Sequence, residues 1–126
     1  MSTLRLEHVN VTVRDPERTA GLLQALFGWR IRWQGPGRDG GRTIHIGMDD
    51  HYLALFTQPG VAYTEEDFAK GRPLNHIGVE VEDIEAAEAR VRAAGVVPFN
   101  HADYAPGRRF YFLDPDGIEY EVVSYR

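Results

Sequence analysis

A chain of 126 residues has room for one compact domain, or for two half-domains that share a core, and its 43% hydrophobic and 26% charged content suits a packed interior under an ordinary polar surface. A net charge of −5 with no basic run argues against a nucleic-acid partner. The absence of cysteine excludes a disulfide framework or thiolate metal site, and no apolar run reaches the length of a membrane span. The first residues, MSTLRLEHVN, lack the apolar core of a signal peptide, so a cytoplasmic location is expected.

In chain order, residues 4–13 read as a strand, with Val9, Val11 and Val13 on one face and His8, Asn10 and Thr12 on the other. Asp15-Pro16-Glu17 opens a helix, with Asp as N-cap and Pro at the first helical position. Ala20, Leu23 and Phe27 form its apolar stripe, and Gly28 is its stop. Trp29, Ile31 and Trp33 alternate with Arg30, Arg32 and Gln34 in a second strand, followed by a glycine-rich loop over 35–41. Strands are expected over 42–48 and 51–57 around an Asp49-Asp50 turn, which completes one βαβββ unit. Residues 58–73 read as a linker with one or two helical turns in its middle.

A second unit then repeats the first. LNHIGVEVED (74–83) aligns without a gap on LEHVNVTVRD (6–15) at an offset of 68, and both carry a histidine at the third position, His8 and His76. Ile84, Ala87, Val91 and Ala94 line a helix that Gly95 ends, and a short strand is expected over 96–99. Strands at 108–113 and 118–125 form a hairpin across Asp114-Pro115-Asp116-Gly117, whose turn chemistry is strong. A duplicated strand that presents a histidine on its non-aliphatic face suggests two related halves building one site.

Two βαβββ units with a histidine on each first strand, closed by FYFLDPDG and then Glu121, resemble the vicinal oxygen chelate superfamily. That superfamily includes glyoxalase I, extradiol dioxygenases, fosfomycin-resistance transferases, methylmalonyl-CoA epimerase and bleomycin-binding proteins. The resemblance implies an α+β fold in which tandem units, 4–57 and 74–125, form a curled mixed sheet around a central cleft. It is specific for fold and weak for reaction, because members share a scaffold and differ in chemistry.

The resemblance also implies a ligand set of His8, His76 and Glu121. Two imidazoles and one carboxylate suit a divalent iron, manganese, nickel or zinc ion and leave positions open for substrate or oxygen. The first-unit counterpart of Glu121, 67 residues earlier, is Ala54, where a glyoxalase I would have an acidic ligand. Tyr111 precedes Glu121 by ten residues, as a tyrosine does in the extradiol and fosfomycin enzymes, although the hairpin register that sets its facing is open. Asn10 shares the face of His8 and is placed to contact substrate, and His45 is expected opposite Ala54 in the same cavity. Tyr111, Asn10 and His45 are therefore the candidate catalytic residues.

Other residues carry blander expectations. His51 and His101 lie near turns and should be exposed. Arg108 and Arg109 suit a carboxylate or phosphate, but solvated arginine is the commoner outcome. Trp29 and Trp33 should pack in the core or at a subunit interface, and Glu119 should be solvated. Against the fosfomycin transferases stand Asn10 in place of their threonine and a sequence that, as given, runs only five residues past Glu121. The expectation is a metal-dependent enzyme that binds a small substrate through adjacent oxygens, dioxygenase-like or glyoxalase-like (lyase or isomerase). The alternative is a metal-free drug or metabolite binder resembling bleomycin resistance proteins. A homodimer is expected, because members commonly dimerise and each half-sheet has an edge that pairing covers.

Overall fold

The computed structural model describes residues 4–126. The fold is α+β and glyoxalase-like: two βαβββ units, each with one helix and a four-stranded mixed sheet. The chain divides into compact units after Ala62. In the first unit the strands are β1 (His8–Thr12), β2 (Arg30–Pro36), β3 (Arg42–Gly47) and β4 (Tyr52–Thr57), and the helix α1 is Pro16–Phe27. In the second they are β5 (Ile77–Glu80), β6 (Phe99–Tyr104), β7 (Gly107–Leu113) and β8 (Glu119–Ser124), and the helix α2 is Ile84–Ala93. The sheet orders match, β1-β4-β3-β2 and β5-β8-β7-β6, each with its first strand parallel to its last.

The helix caps form as their sequence dictates. Asp15 accepts a hydrogen bond from the Arg18 N–H at 3.2 Å, and Asp83 accepts one from the Ala86 N–H at 3.0 Å, so the two units start their helices alike. Gly28 closes α1 in the left-handed region at φ 66°, with its N–H on the Gln24 carbonyl. The inner face of α1 buries Thr19, Ala20, Leu23 and Leu26, rather than Phe27, and the first core is completed by Val11, Val13, Ile44, Ile46, Leu53 and Leu55. Truncating a side chain such as Leu23 to alanine there costs about 2–5 kcal/mol. In the second unit Ile84, Ala87 and Val91 of α2 are buried, as are Val79, Phe110, Phe112, Tyr120 and Val122 of its sheet, with the Phe112 and Tyr120 rings stacked at 5.0 Å.

Several boundaries depart from the expected ones. Residues 4–7 lie outside β1, and Leu4 and Leu6 are exposed. β5 starts at Ile77, so His76 immediately precedes the strand. Part of the loop expected over 35–41 is strand, because β2 runs to Pro36 before a single 3-10 turn, Arg38–Gly40. β6 is later and longer than 96–99, which places His101 in a strand instead of a turn. The linker forms one 3-10 turn, Glu65–Phe68, capped reciprocally by Thr64 and Asp67. No helix among the described residues is long and apolar enough to cross a membrane.

The alternation in β2 is also broken. A register shift between Ile31 and Trp33 pairs Ile31 with Ile46 but Trp33 with His45. Residues paired across strands share a face, so Trp33 moves to the face opposite α1, where it is 49% exposed; of the two places expected for it, core or subunit interface, the core of its own unit is ruled out. Gly35 makes room for it: a Cβ there would meet the indole at 2.8 Å.

Candidate functional site

Each sheet covers a helix with one face and presents the other. In the first unit Asn10 pairs with Ala54, Ala54 with His45, and His45 with Trp33. In the second, Gly78 pairs with Glu121, Glu121 with Tyr111, and Tyr111 with Phe99. Ala54 and Glu121 are thus true counterparts, and so are His45 and Tyr111. By the same register Thr43, opposite Phe56, corresponds to Arg109, opposite Val123.

His76, Glu121 and Tyr111 come together in the second unit. The His76 Nε2 lies 3.2 Å from Glu121 Oε1, and the Tyr111 hydroxyl donates to the same oxygen at 3.1 Å. On the other side of the ring, His76 Nδ1 is 2.7 Å from the side-chain oxygen of Asn75. Nε2 faces the Glu121 carboxylate oxygen, a pairing that suits a ring N–H donor or a cation shared between the two. Burial, and then the bond to Glu121, push the Tyr111 phenol above its ordinary range, so it stays protonated and acts as a donor. The hairpin register left open by the sequence is the one that seats Tyr111 directly opposite Glu121.

Glu121 has a further partner. Arg109 Nη1 lies 3.4 Å from Glu121 Oε2, and the two side chains are only 12% and 13% exposed. Arg109 is therefore no solvated surface arginine. Its guanidinium lies 4.6 Å from the centroid of the Tyr104 ring, Nη2 reaches the Gly107 carbonyl at 3.5 Å, and the buried Nε has no hydrogen-bond partner. The neighbouring Arg108 turns to the helix side and binds Glu85 of α2 at 2.5 Å. Glu119 is buried, not solvated, and pairs with Lys70 at 2.8 Å. Only the register of β7 against β8 shows that the charge of Arg109 meets Glu121.

His8, Asn10 and His45 lie on the open face of the first sheet. His8 Nδ1 meets Glu7 Oε1 at 2.9 Å, and its ring stacks on Tyr52 at 4.8 Å. Tyr52 in turn stacks on His45 at 4.5 Å, and His45 lies 5.1 Å from Trp33, so four aromatic rings cross the four strands in a row. Tyr52 and Trp33 escaped the sequence reading, the first because a strand tyrosine carries no motif, the second because the bulge was invisible. Burial first, and then the neighbouring His8 and Arg32, lower the pKa of His45, which favours its neutral form. His101, outside this face, is exposed as expected, but it binds Glu88 at 2.8 Å.

Within neither unit, among the described residues, do three His, Asp or Glu side chains gather around one point. The second unit supplies two donors, His76 and Glu121, with Asn75 fixing the imidazole and Tyr111 the carboxylate. That chemistry fits a divalent ion of the borderline class, with oxygen and nitrogen donors and hydrogen-bonded outer partners.

A family model described as the glyoxalase/bleomycin resistance protein/dioxygenase superfamily matches residues 5–122. A Bacillus subtilis (strain 168) protein named as a probable trivalent organoarsenical cleaving enzyme is 25% identical over 94% of this chain and 78% of its own length. A glyoxylase/bleomycin resistance protein/dioxygenase domain from Frankia sp. EAN1pec superposes with a TM-score of 0.81 at 24% identity, covering 99% of this chain and 100% of that one. The fosfomycin resistance protein FosX of Listeria monocytogenes, solved with Mn(II) and sulfate, superposes with a TM-score of 0.73 at 17% identity, covering 98% and 93%.

Proposed function

The chain belongs to the glyoxalase/bleomycin resistance protein/dioxygenase superfamily, and from that premise we propose that it is a metal-dependent enzyme that takes a small substrate through two adjacent oxygens. His8, His76 and Glu121 are the proposed ligands of a divalent ion. The observation that carries this reading is the approach of His76 Nε2 to Glu121 Oε1, with Asn75 behind the imidazole. The Mn(II) in the solved Listeria relative supports a divalent ion of this kind.

Such an ion, when bound, supplies Lewis acidity to the substrate oxygens. The protein's own groups do the rest. The Tyr111 hydroxyl, protonated and in the structure donating to Glu121, would turn its one proton to a substrate oxygen carrying negative charge. Asn10 orients the substrate from the first sheet. His45, with its neutral form favoured, orients the substrate or accepts a proton from it. With Ala54 in place of a fourth ligand, an ion held by His8, His76 and Glu121 would keep positions open for substrate, as in other sites of two histidines and one carboxylate. That favours a dioxygenase-like reaction over a glyoxalase-like lyase or isomerase reaction. The name of the Bacillus relative supports an enzyme over a sequestering protein. The proposed assembly is a homodimer, for which light scattering at micromolar concentration is the test.

One observation favours a second reading. Arg109 already supplies a positive charge to Glu121, as a metal-free small-molecule binder would require. Calorimetric titration of the protein with Mn(II), Fe(II), Ni(II) and Zn(II) separates the two. Saturable binding that is lost in His76→Ala supports the enzyme, and no binding of any of the four ions leaves the binder.

A further inference from the structure

Arg109 and Glu121 form an unusual pair for two largely buried opposite charges. Their single contact, Nη1 to Oε2, is 3.4 Å long, whereas a charge-assisted N–H···O bond runs to roughly 2.7–2.9 Å and arginine often grips a carboxylate with two such bonds. The guanidinium does not depend on Glu121 for its place. It lies against the Tyr104 ring and reaches the Gly107 carbonyl, both at the end of the β6–β7 hairpin. The carboxylate is thereby divided: Oε2 faces Arg109, while Oε1 takes the Tyr111 hydroxyl and faces His76.

We propose that Arg109 is a positioning residue that stands in for the cation when no metal is bound, and that it reserves Oε1 alone as the ligand oxygen of Glu121. This rests on the metal-dependent reading above. Burying a carboxylate without a counter-charge is costly, and Arg109 removes that cost in the metal-free protein. A divalent ion held by His76 and Glu121 would be repelled by the same guanidinium across the shared carboxylate, whose Oε2 already faces Arg109. Arg109 therefore keeps metal binding weaker and more exchangeable than an isolated His76–Glu121 set would give. Its counterpart in the first unit is Thr43, opposite a strand that carries Ala54 rather than a carboxylate, so the cation is present only where the acid is.

A purely structural arginine and a cation surrogate give opposite signs for metal affinity. Arg109→Met removes the charge and keeps much of the apolar stem, while Arg109→Lys keeps the charge. Calorimetry with Mn(II), together with thermal melting of the metal-free proteins, reads both. The expected result is Mn(II) binding tighter by on the order of tenfold in Arg109→Met, near wild-type affinity in Arg109→Lys, and a lower melting temperature for metal-free Arg109→Met that saturating Mn(II) restores. Equal or weaker Mn(II) binding in Arg109→Met, with wild-type binding intact, overturns the role of Arg109 and leaves the metal site standing. No Mn(II) binding by the wild-type protein overturns both.

Discussion

Ala54 and Glu121 hold the same place in the two halves of the molecule: Ala54 lies between Asn10 and His45, Glu121 between Gly78 and Tyr111. At this position the two sheets therefore present one carboxylate, not two. What surrounds that carboxylate differs as well, because Tyr111 and Arg109 of the second unit are His45 and Thr43 in the first.

Introducing the missing acid should be costly. Ala54 is 2% exposed, and Ala54→Glu would bury a carboxylate beside His45 with no arginine at the Arg109 position. A loss of about 3 kcal/mol or more in chemical denaturation is expected, shrinking when a divalent ion is added. A loss unchanged by metal would show that the new carboxylate does not reach a ligand position.

The sequence made the repeat, the Asp15 cap of the first helix and the 114–117 turn legible, because each rests on local chemistry that neighbouring residues carry themselves. Tyr120 and Val122 face the helix side and are buried, which leaves Glu121 on the opposite face of β8. What the sequence missed is register. The β2 bulge that turns Trp33 over, the late start of β6, and the meeting of Arg109 with Glu121 all depend on which residue pairs across strands, and no single strand contains that information.

Asn75 is expected to act as an outer partner of the metal site. Asn75→Ala frees the His76 ring without removing a ligand, and metal affinity should fall by about 10–100-fold at unchanged melting temperature. His76→Ala should lose more than that. Calorimetry on both variants checks the order, and an Asn75→Ala protein with wild-type affinity would mean the 2.7 Å contact does not position the imidazole.

Tyr111→Phe should separate binding from chemistry. The variant keeps the ring against His76 but loses a hydrogen bond to a carboxylate, worth about 1.5–3 kcal/mol. Metal should still bind, while turnover of any substrate found should fall in kcat more than in KM. An unaltered kcat would remove Tyr111 from the reaction.

Asp114 gives the fold a distinct pH signature. Its carboxylate accepts from the Asp116 and Ile118 N–H groups, yet burial pushes its pKa up to about 6. With an unfolded value of about 3.9, the native state holds this proton more tightly. The stabilisation it contributes is full below pH about 4 and is lost as pH rises through about 6. Asp114→Asn retains an acceptor and should flatten that decline, so its stability relative to the wild type should rise between pH about 4 and 7. Denaturation midpoints across that range supply the check, and a difference constant with pH would count against a raised Asp114 pKa.

Binding of adjacent substrate oxygens at a metal is read in the electron paramagnetic resonance spectrum of the Mn(II)-loaded protein during titration with a catechol or an α-hydroxy ketone. The expected result is a saturable change in the protein-bound Mn(II) signal with such two-oxygen ligands, little change with analogues that lack one oxygen, and no bound signal in His76→Ala. A wild-type protein that shows only free Mn(II), or a bound signal indifferent to two-oxygen ligands, would contradict it.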